Sequence, residues 1–266
     1  MSVNTYLADL ASMAVIKEQE KASIQKSIDV LQDRLRQYLC KDISEHFIFG
    51  SYSRGTILPR NMDEHSDIDY MVVFSDSSFK PQTYLDRLRR FVENYYPNSE
   101  IAQSNPTIVL SLNHIHFELV PAINGFLYGL QIPAKASAYQ DWIATDPKDF
   151  NEKLTQANKS NNNLIKPLVR IMKYWNAYNN YPFESYSLEK DIVGHGFFFQ
   201  GLLGSSQLKD YFYDYIESLN IGLFAPKVKQ EAVERAKRIM TEAKALEKQG
   251  YPALAEKKIM QLLPPV

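Results

Sequence analysis

Asp67 and Asp69 stand two residues apart in Ser66-Asp67-Ile68-Asp69-Tyr70, at the mouth of the apolar run Met71-Val72-Val73-Phe74. On a strand, residues i and i+2 project from one face, so the two carboxylates share a side while Ile68 and Tyr70 face the other. Two such charges about 4 Å apart repel by roughly 4 kcal/mol at an effective dielectric near 20. Holding them together calls for a cation or a shared proton. Oxygen ligands with no cysteine among them suit Mg²⁺ or Mn²⁺. Glu118, in Ile115-His116-Phe117-Glu118-Leu119-Val120, shares a face with His116 and Val120. If its strand lies beside that of the aspartates, three carboxylates converge. Such a set can hold two ions, one lowering the pKa of an attacking hydroxyl and one carrying leaving phosphates. An isolated Asp-x-Asp is more often an exposed strand edge; the buried run that follows this one sets it apart.

Gly50-Ser51 adds a second chemistry. Glycine lets the chain turn and lets a ligand approach the backbone. Ser51 offers a hydroxyl and an N–H to phosphate oxygens, and successive N–H groups in such a turn form an anion nest. Arg54 can add charge, and Gly55-Thr56 supplies another flexible point. The stretch lacks the G-x-x-x-x-G-K-[ST] of a P-loop. Fifteen residues separate Ser51 from Asp67.

The elements that must position these groups follow from hydrophobic periodicity. Residues Thr5 to Leu39 contain neither glycine nor proline and predict one long helix, with a core-facing stripe at Ile24, Ile28, Leu31, Leu35 and Leu39. His46 to Gly50 predicts a short strand ending in a glycine turn, and Ser66 to Phe74 a strand that becomes fully buried. Tyr84 to Tyr96 predicts an amphipathic helix. Thr107 to Leu112 and Ile115 to Ile123 predict a hairpin around Asn113-His114. Beyond residues 124–137 the pattern becomes mostly helical: a helix around Leu164, Leu168, Ile171, Met172 and Trp175, helices over 186–219 interrupted around Gly201 to Ser206, a charged helix ended by Gly250, and a last short one. The expected division is a long N-terminal helix (1–40), a sheet-containing domain (41–150) and a helical domain (151–266).

Composition is that of an ordinary globular chain: 266 residues, 45% hydrophobic, 23% charged, with a formal net charge of −1. That balance argues against a surface built wholly to grip nucleic acid. Nine lysines and arginines between Lys227 and Lys258 lean basic, but the glutamates among them predict a salt-bridged, solvated surface. Cys40 is the single cysteine, so a disulfide framework or cysteine metal site within one chain is excluded, and Cys40 is expected to be buried or neutral. No apolar run approaches 20 residues, and the first residues lack a signal-peptide pattern, so the cytoplasm is the expected compartment and no membrane partner is expected.

Phe49-Gly50-Ser51-Tyr52-Ser53-Arg54-Gly55-Thr56, then Ser66 to Phe74, then Phe117-Glu118-Leu119-Val120-Pro121-Ala122 together resemble the polymerase-β-type nucleotidyltransferase superfamily. The likeness is greatest to the cyclic GMP–AMP synthase and oligoadenylate synthase branch, especially the bacterial cyclic-oligonucleotide synthases of anti-phage defence. Those proteins likewise have a long N-terminal helix, a Gly-Ser-x-x-x-Gly-Thr turn, a Val-Pro-Ala stretch after the third acid (usually aspartate), and a helical domain with Lys-x-Trp followed by Ser-Tyr-x-Leu-Glu. Here the last two are Lys173 to Trp175 and Ser185 to Glu189. The resemblance implies an α+β fold: a nucleotidyltransferase lobe with a small mixed sheet, bridged by the long helix to a helical lobe. It implies nucleoside triphosphate substrates, two Mg²⁺ (or Mn²⁺) ions on Asp67, Asp69 and Glu118, and room for a regulatory protein partner. Lys173 would contact the triphosphate, Ser185 would hydrogen-bond a phosphate, and Tyr186 would stack on a base. The same donor site could serve an RNA 3′ end or a protein side chain, or survive in a catalytically silent nucleotide-binding module.

Overall fold

The computed structural model describes residues 2–104, 106–125, 129–134, 140–197, 206–222 and 224–266. Its first departure from expectation is at the N-terminus. In place of one helix there are two, α1 (Val3–Met13) and α2 (Glu18–Leu39). The apolar stripe explains why. In α1 it runs through Val3, Tyr6, Leu7, Leu10, Ala11 and the capping residue Ala14, all buried. A continuous helix would carry it on through positions 17, 18 and 21, which are Lys17, Glu18 and Lys21. The stripe resumes only at Ile24, and Ile24, Ile28, Leu31 and Leu35 are then fully buried. Each such side chain contributes about 1.5–3 kcal/mol through burial.

Residues 17–57 and 65–151 form one compact unit, and residues 1–16, 58–64 and 152–266 form a second. The first is built on a mixed sheet of β1 (Ile43–Ile48), β2 (Asp67–Phe74), β3 (Glu100–Ser104), β4 (Thr107–Ser111), β5 (His116–Gly125), β6 (Gly129–Pro133) and β7 (Trp142–Ala144). The order is β1-β2-β5-β4-β3, with β6 added to β5 and β7 to β6. Only β2 and β5 run parallel among the described pairs. The β4–β5 hairpin forms as expected, Ile108 facing Leu119. β6 falls within residues 124–137, where the sequence predicts no element, and β7 adds one more short strand before the expected helices begin.

One face of the sheet is mainly apolar. Tyr70, Val72, Phe74, Phe117 and Leu119 are buried there, as are Tyr84, Leu88 and Phe91 of helix α4 (Pro81–Tyr95). The Phe74 and Tyr84 rings lie 4.8 Å apart. α2 packs behind α4, with Tyr38 against Phe91 and the Arg34 guanidinium 4.5 Å from the Tyr96 ring centre. The other face carries a smaller cluster, Met71, Val73, Val120 and Ala122, flanked by Phe47 and Phe49. The aspartates begin at the end of this second face. Cys40 caps α2 and is exposed, not buried.

The second unit packs α1 with α5 (Pro147–Ser160) from residue 152 onward, α6 (Ile165–Tyr178), α7 (Ser185–Gly194), α8 (Leu208–Ser218), α9 (Lys227–Lys248) and α10 (Pro252–Ile259). Trp175, Tyr211, Phe212 and Tyr215 are fully buried in its core. Tyr6 and Tyr174 donate hydroxyls to the carbonyls of Leu263 (2.5 Å) and Pro264 (3.0 Å), fastening the final turn to α1 and α6. Gly250, with φ of 82°, closes α9 as its position predicts. The interruption expected around Gly201 to Ser206 lies, apart from Ser206, outside the described residues. No described helix is long and apolar enough to cross a membrane.

Candidate active site

The parallel register of β2 and β5 sets Asp69 opposite Glu118 and Asp67 opposite His116. Paired residues on neighbouring strands face the same way, so both aspartates, Glu118 and His116 share one face of the sheet. All four are half-buried, whereas Ile68 and Phe117 between them are fully buried on the other side. Their placement follows from the pattern: each strand opens with polar residues alternating against apolar ones and becomes wholly apolar after the last acid.

Glu118 senses its neighbourhood. Burial first, and the negative charge of Asp67 second, push its carboxyl from 4.5 up to about 7. A folded-state value above the unfolded one means that the folded chain holds the proton more tightly. In ion-free protein the resulting stability is fully present below about pH 4.5 and is lost as pH rises through about 7. With allowance for solvent at a half-buried carboxyl, the loss is on the order of 2 kcal/mol. Urea unfolding in chelator on the two sides of this window should show it, and Glu118→Gln should flatten the dependence.

Gly50 opens a five-residue helix, α3 (Gly50–Arg54), where the sequence predicts an open turn. The Phe49 N–H donates to the Asp69 carbonyl at 3.0 Å, tying the entry of α3 to β2. Gly50 itself has φ of 69°, and a Cβ at this position would collide with the Asp69 carboxylate. The acid thus lies directly over the glycine. The Ser51 carbonyl accepts from the N–H groups of Thr56 (2.9 Å) and Ile57 (3.1 Å). Its hydroxyl makes no hydrogen bond among the described residues. Arg54 is buried, its guanidinium 5.1 Å from the Phe150 ring centre, an anchoring contact that sequence spacing does not contain.

Lys173, Ser185 and Tyr186 belong to the other compact unit. Lys173 lies on α6 and is only 7% exposed. Ser185 is the first residue of α7, with Glu184 as the capping residue. Tyr186 beside it is 49% exposed.

Three carboxylates on one sheet face make an oxygen-only donor set suited to a hard divalent ion, and the raised Glu118 value marks negative charge that a cation would neutralise. Among the described residues no three His, Cys, Asp or Glu side chains are already gathered closely enough to hold an ion. His116 is the residue here that the sequence reading left without a role. Alternation put it on the Glu118 face, but only the register shows it opposite Asp67.

Residues 1–158 match the family described as Second Messenger Oligonucleotide or Dinucleotide Synthetase domain. A probable cyclic nucleotide synthase of Bacillus cereus (strain VD146) is 26% identical over 209 residues, 64% of this chain and 61% of its own length. A cyclic AMP-AMP-AMP synthase of an Acinetobacter species is 25% identical over 138 residues, 50% of this chain and 39% of its own. The chain therefore spans less than two thirds of either relative. Among solved structures, the cyclic AMP–GMP synthase DncV of Vibrio cholerae, in its apo form, superposes with a TM-score of 0.73 at 11% identity, covering 99% of this chain and 95% of that one. Escherichia coli CdnC, solved in complex with a HORMA protein, gives 0.70 at 16% identity, covering 98% and 96%. CdnG of Bradyrhizobium diazoefficiens, solved with GTP, gives 0.70 at 10%, covering 98% of each chain. At these identities the likeness is one of fold, and the α+β architecture expected from the sequence is the shared one.

Proposed function

Because the chain belongs to the Second Messenger Oligonucleotide or Dinucleotide Synthetase domain family, we propose that it joins nucleoside triphosphates into a cyclic di- or oligonucleotide, releasing pyrophosphate at each bond. The observation that carries this reading is the register of Glu118 against Asp69, with Asp67 on the same face. Asp67 and Asp69 would hold the ion that bears the donor triphosphate, and Glu118 with them the ion at the acceptor hydroxyl. The two Mg²⁺ (or Mn²⁺) ions would supply charge neutralisation and a more acidic hydroxyl.

The remaining work falls to the chain. Gly50 and Ser51 cradle phosphate through the α3 amides and the Ser51 hydroxyl, and Arg54 holds α3 against Phe150 while adding positive charge. Lys173 and Ser185 bind further phosphate oxygens; Tyr186 stacks on the donor base, a contact worth ~1–3 kcal/mol. The acceptor hydroxyl attacks the α-phosphorus in line, the bond to the bridging oxygen breaks, and pyrophosphate leaves. Glu118, on the face it shares with Asp67 and Asp69, would also be placed to take the hydroxyl proton. A second round on the linear product closes the ring. The product would act as a second messenger in bacterial anti-phage signalling, made in the cytoplasm, with a regulatory protein as a partner in the way that CdnC is found in complex with a HORMA protein.

A nucleic-acid acceptor is disfavoured because several lysines on and against the C-terminal helices are paired with glutamates of the chain. Lys244 pairs with Glu217 at 2.9 Å, Lys258 with Glu242 at 2.6 Å and Lys209 with Glu247 at 2.9 Å. The test is to incubate the purified protein with all four NTPs and Mg²⁺ or Mn²⁺ and separate the products. Phosphatase-resistant products with pyrophosphate release, lost in Asp67→Ala, are expected. Labelled RNA or protein would redirect the reading to another acceptor, and silence in both proteins would sink it.

A further inference from the structure

The segment that delivers Ser185 and Tyr186 leaves α6 through Asn179-Asn180-Tyr181-Pro182-Phe183-Glu184. Its backbone is unusual. Asn180 and Tyr181 both have positive φ, 59° and 53°. Asparagine visits this left-handed region readily; tyrosine seldom does, because its Cβ crowds the following carbonyl oxygen. Such a conformation persists only where the surroundings over-determine it.

One residue does most of that work. Asn176, fully buried on α6, accepts the Phe183 N–H at Oδ1 (3.0 Å) and donates Nδ2–H to the Phe183 carbonyl (2.9 Å). Its own carbonyl accepts the Tyr181 N–H at 2.8 Å. The far end of Tyr181 is pinned too, its hydroxyl donating to Asp63 Oδ1 at 2.5 Å. The side chain of Asn176 therefore satisfies both polar groups of one residue in the loop, which needs a donor and an acceptor on one short planar group. Aspartate has the shape but lacks the donor and brings a charge; alanine leaves two backbone groups unmet. Asn176 also sits one helical turn beyond Lys173, so it ties the loop to the helix that carries the lysine.

We infer that Asn176 is a positioning residue for the donor nucleotide. It fixes the loop that presents Ser185 and Tyr186 to the same helix as Lys173, with the Tyr181–Asp63 bond as a second pin. This rests on the reading of Lys173, Ser185 and Tyr186 as nucleotide contacts. Asn176 touches neither substrate nor reacting atoms; it removes from the ligand the burden of ordering the loop.

The test uses the full chain with the four NTPs and Mg²⁺. Asn176→Ala is expected to raise the apparent KM for the NTP mixture by about tenfold while kcat stays within about threefold, the carboxylates being untouched. Amide hydrogen exchange should quicken over residues 181–187 and stay slow in α6. The KM effects of Asn176→Ala and Tyr186→Ala should be non-additive, since one acts through the other. Tyr181→Phe, which deletes a single hydroxyl, should give a smaller KM increase, about threefold, and keeps the test alive should Asn176→Ala fold poorly. An unchanged KM in either variant, or effects that simply multiply, overturns the inference while leaving the proposed activity standing. A wild-type protein that neither turns over nor binds any NTP overturns both.

Discussion

Asp69→Asn is expected to lower nucleotidyl transfer by roughly a thousandfold or more, equivalent to about 4 kcal/mol of lost transition-state stabilisation. Asp69 faces Glu118 across the strand pair, and its carboxylate lies over Gly50 at the mouth of α3. It therefore joins the acidic set to the phosphate turn, and an amide of the same shape keeps the packing while removing the charge. The fold should hold. The substitution relieves repulsion on a face where Asp67 and Glu118 already oppose each other electrostatically, so the urea midpoint of ion-free protein should stay level or rise slightly. Pyrophosphate release and denaturant unfolding measured on the same preparation check both halves. Activity within tenfold of wild type would remove Asp69 from the mechanism.

Gly50→Ala should be nearly as damaging, and for a reason that Gly55→Ala isolates. Both glycines have φ of 69°. At Gly55 a Cβ would meet nothing within 4 Å, so Gly55→Ala carries only the left-handed strain, about 1–2 kcal/mol of stability. At Gly50 the same strain is joined by a collision with the Asp69 carboxylate. That side chain must move, and with it the relation between the acid and the phosphate turn. We expect Gly50→Ala to lose about a hundredfold or more in turnover, because small displacements of reacting groups cost that much, and Gly55→Ala to keep most of its activity at a comparable stability loss. Equal turnover in the two variants would mean that the approach of Asp69 to Gly50 has no catalytic meaning.

The acidic face was legible because two independent patterns agree on it. Alternation fixed which side of each strand the carboxylates occupy, and the apolar runs after Asp69 and Glu118 marked both strands as central. Their adjacency was an assumption until the register paired Asp69 with Glu118. The break between α1 and α2 was also written in the chain, as charges at Lys17, Glu18 and Lys21 where the stripe needed apolar groups. Helix propensity hid it, because no residue there forbids a helix. β6 and β7 were not legible: five and three residues long, they owe their strand character to β5 beside them more than to their own composition. The stacking of Arg54 on Phe150 joins positions nearly a hundred apart in sequence. The Asn176 contact is shorter in range, but a lone asparagine near a helix end gives no hint of which backbone groups it will meet.

The backbone passes from one compact unit to the other after residues 16, 57, 64 and 151. No single cut frees either unit intact. A fragment starting at 152 would lack α1, whose Leu7 and Leu10 help fill its core, and a fragment of residues 17–151 would carry the stretch 58–64 as an orphan loop. The two are interleaved along the sequence, so neither is a contiguous stretch that could be excised as a module.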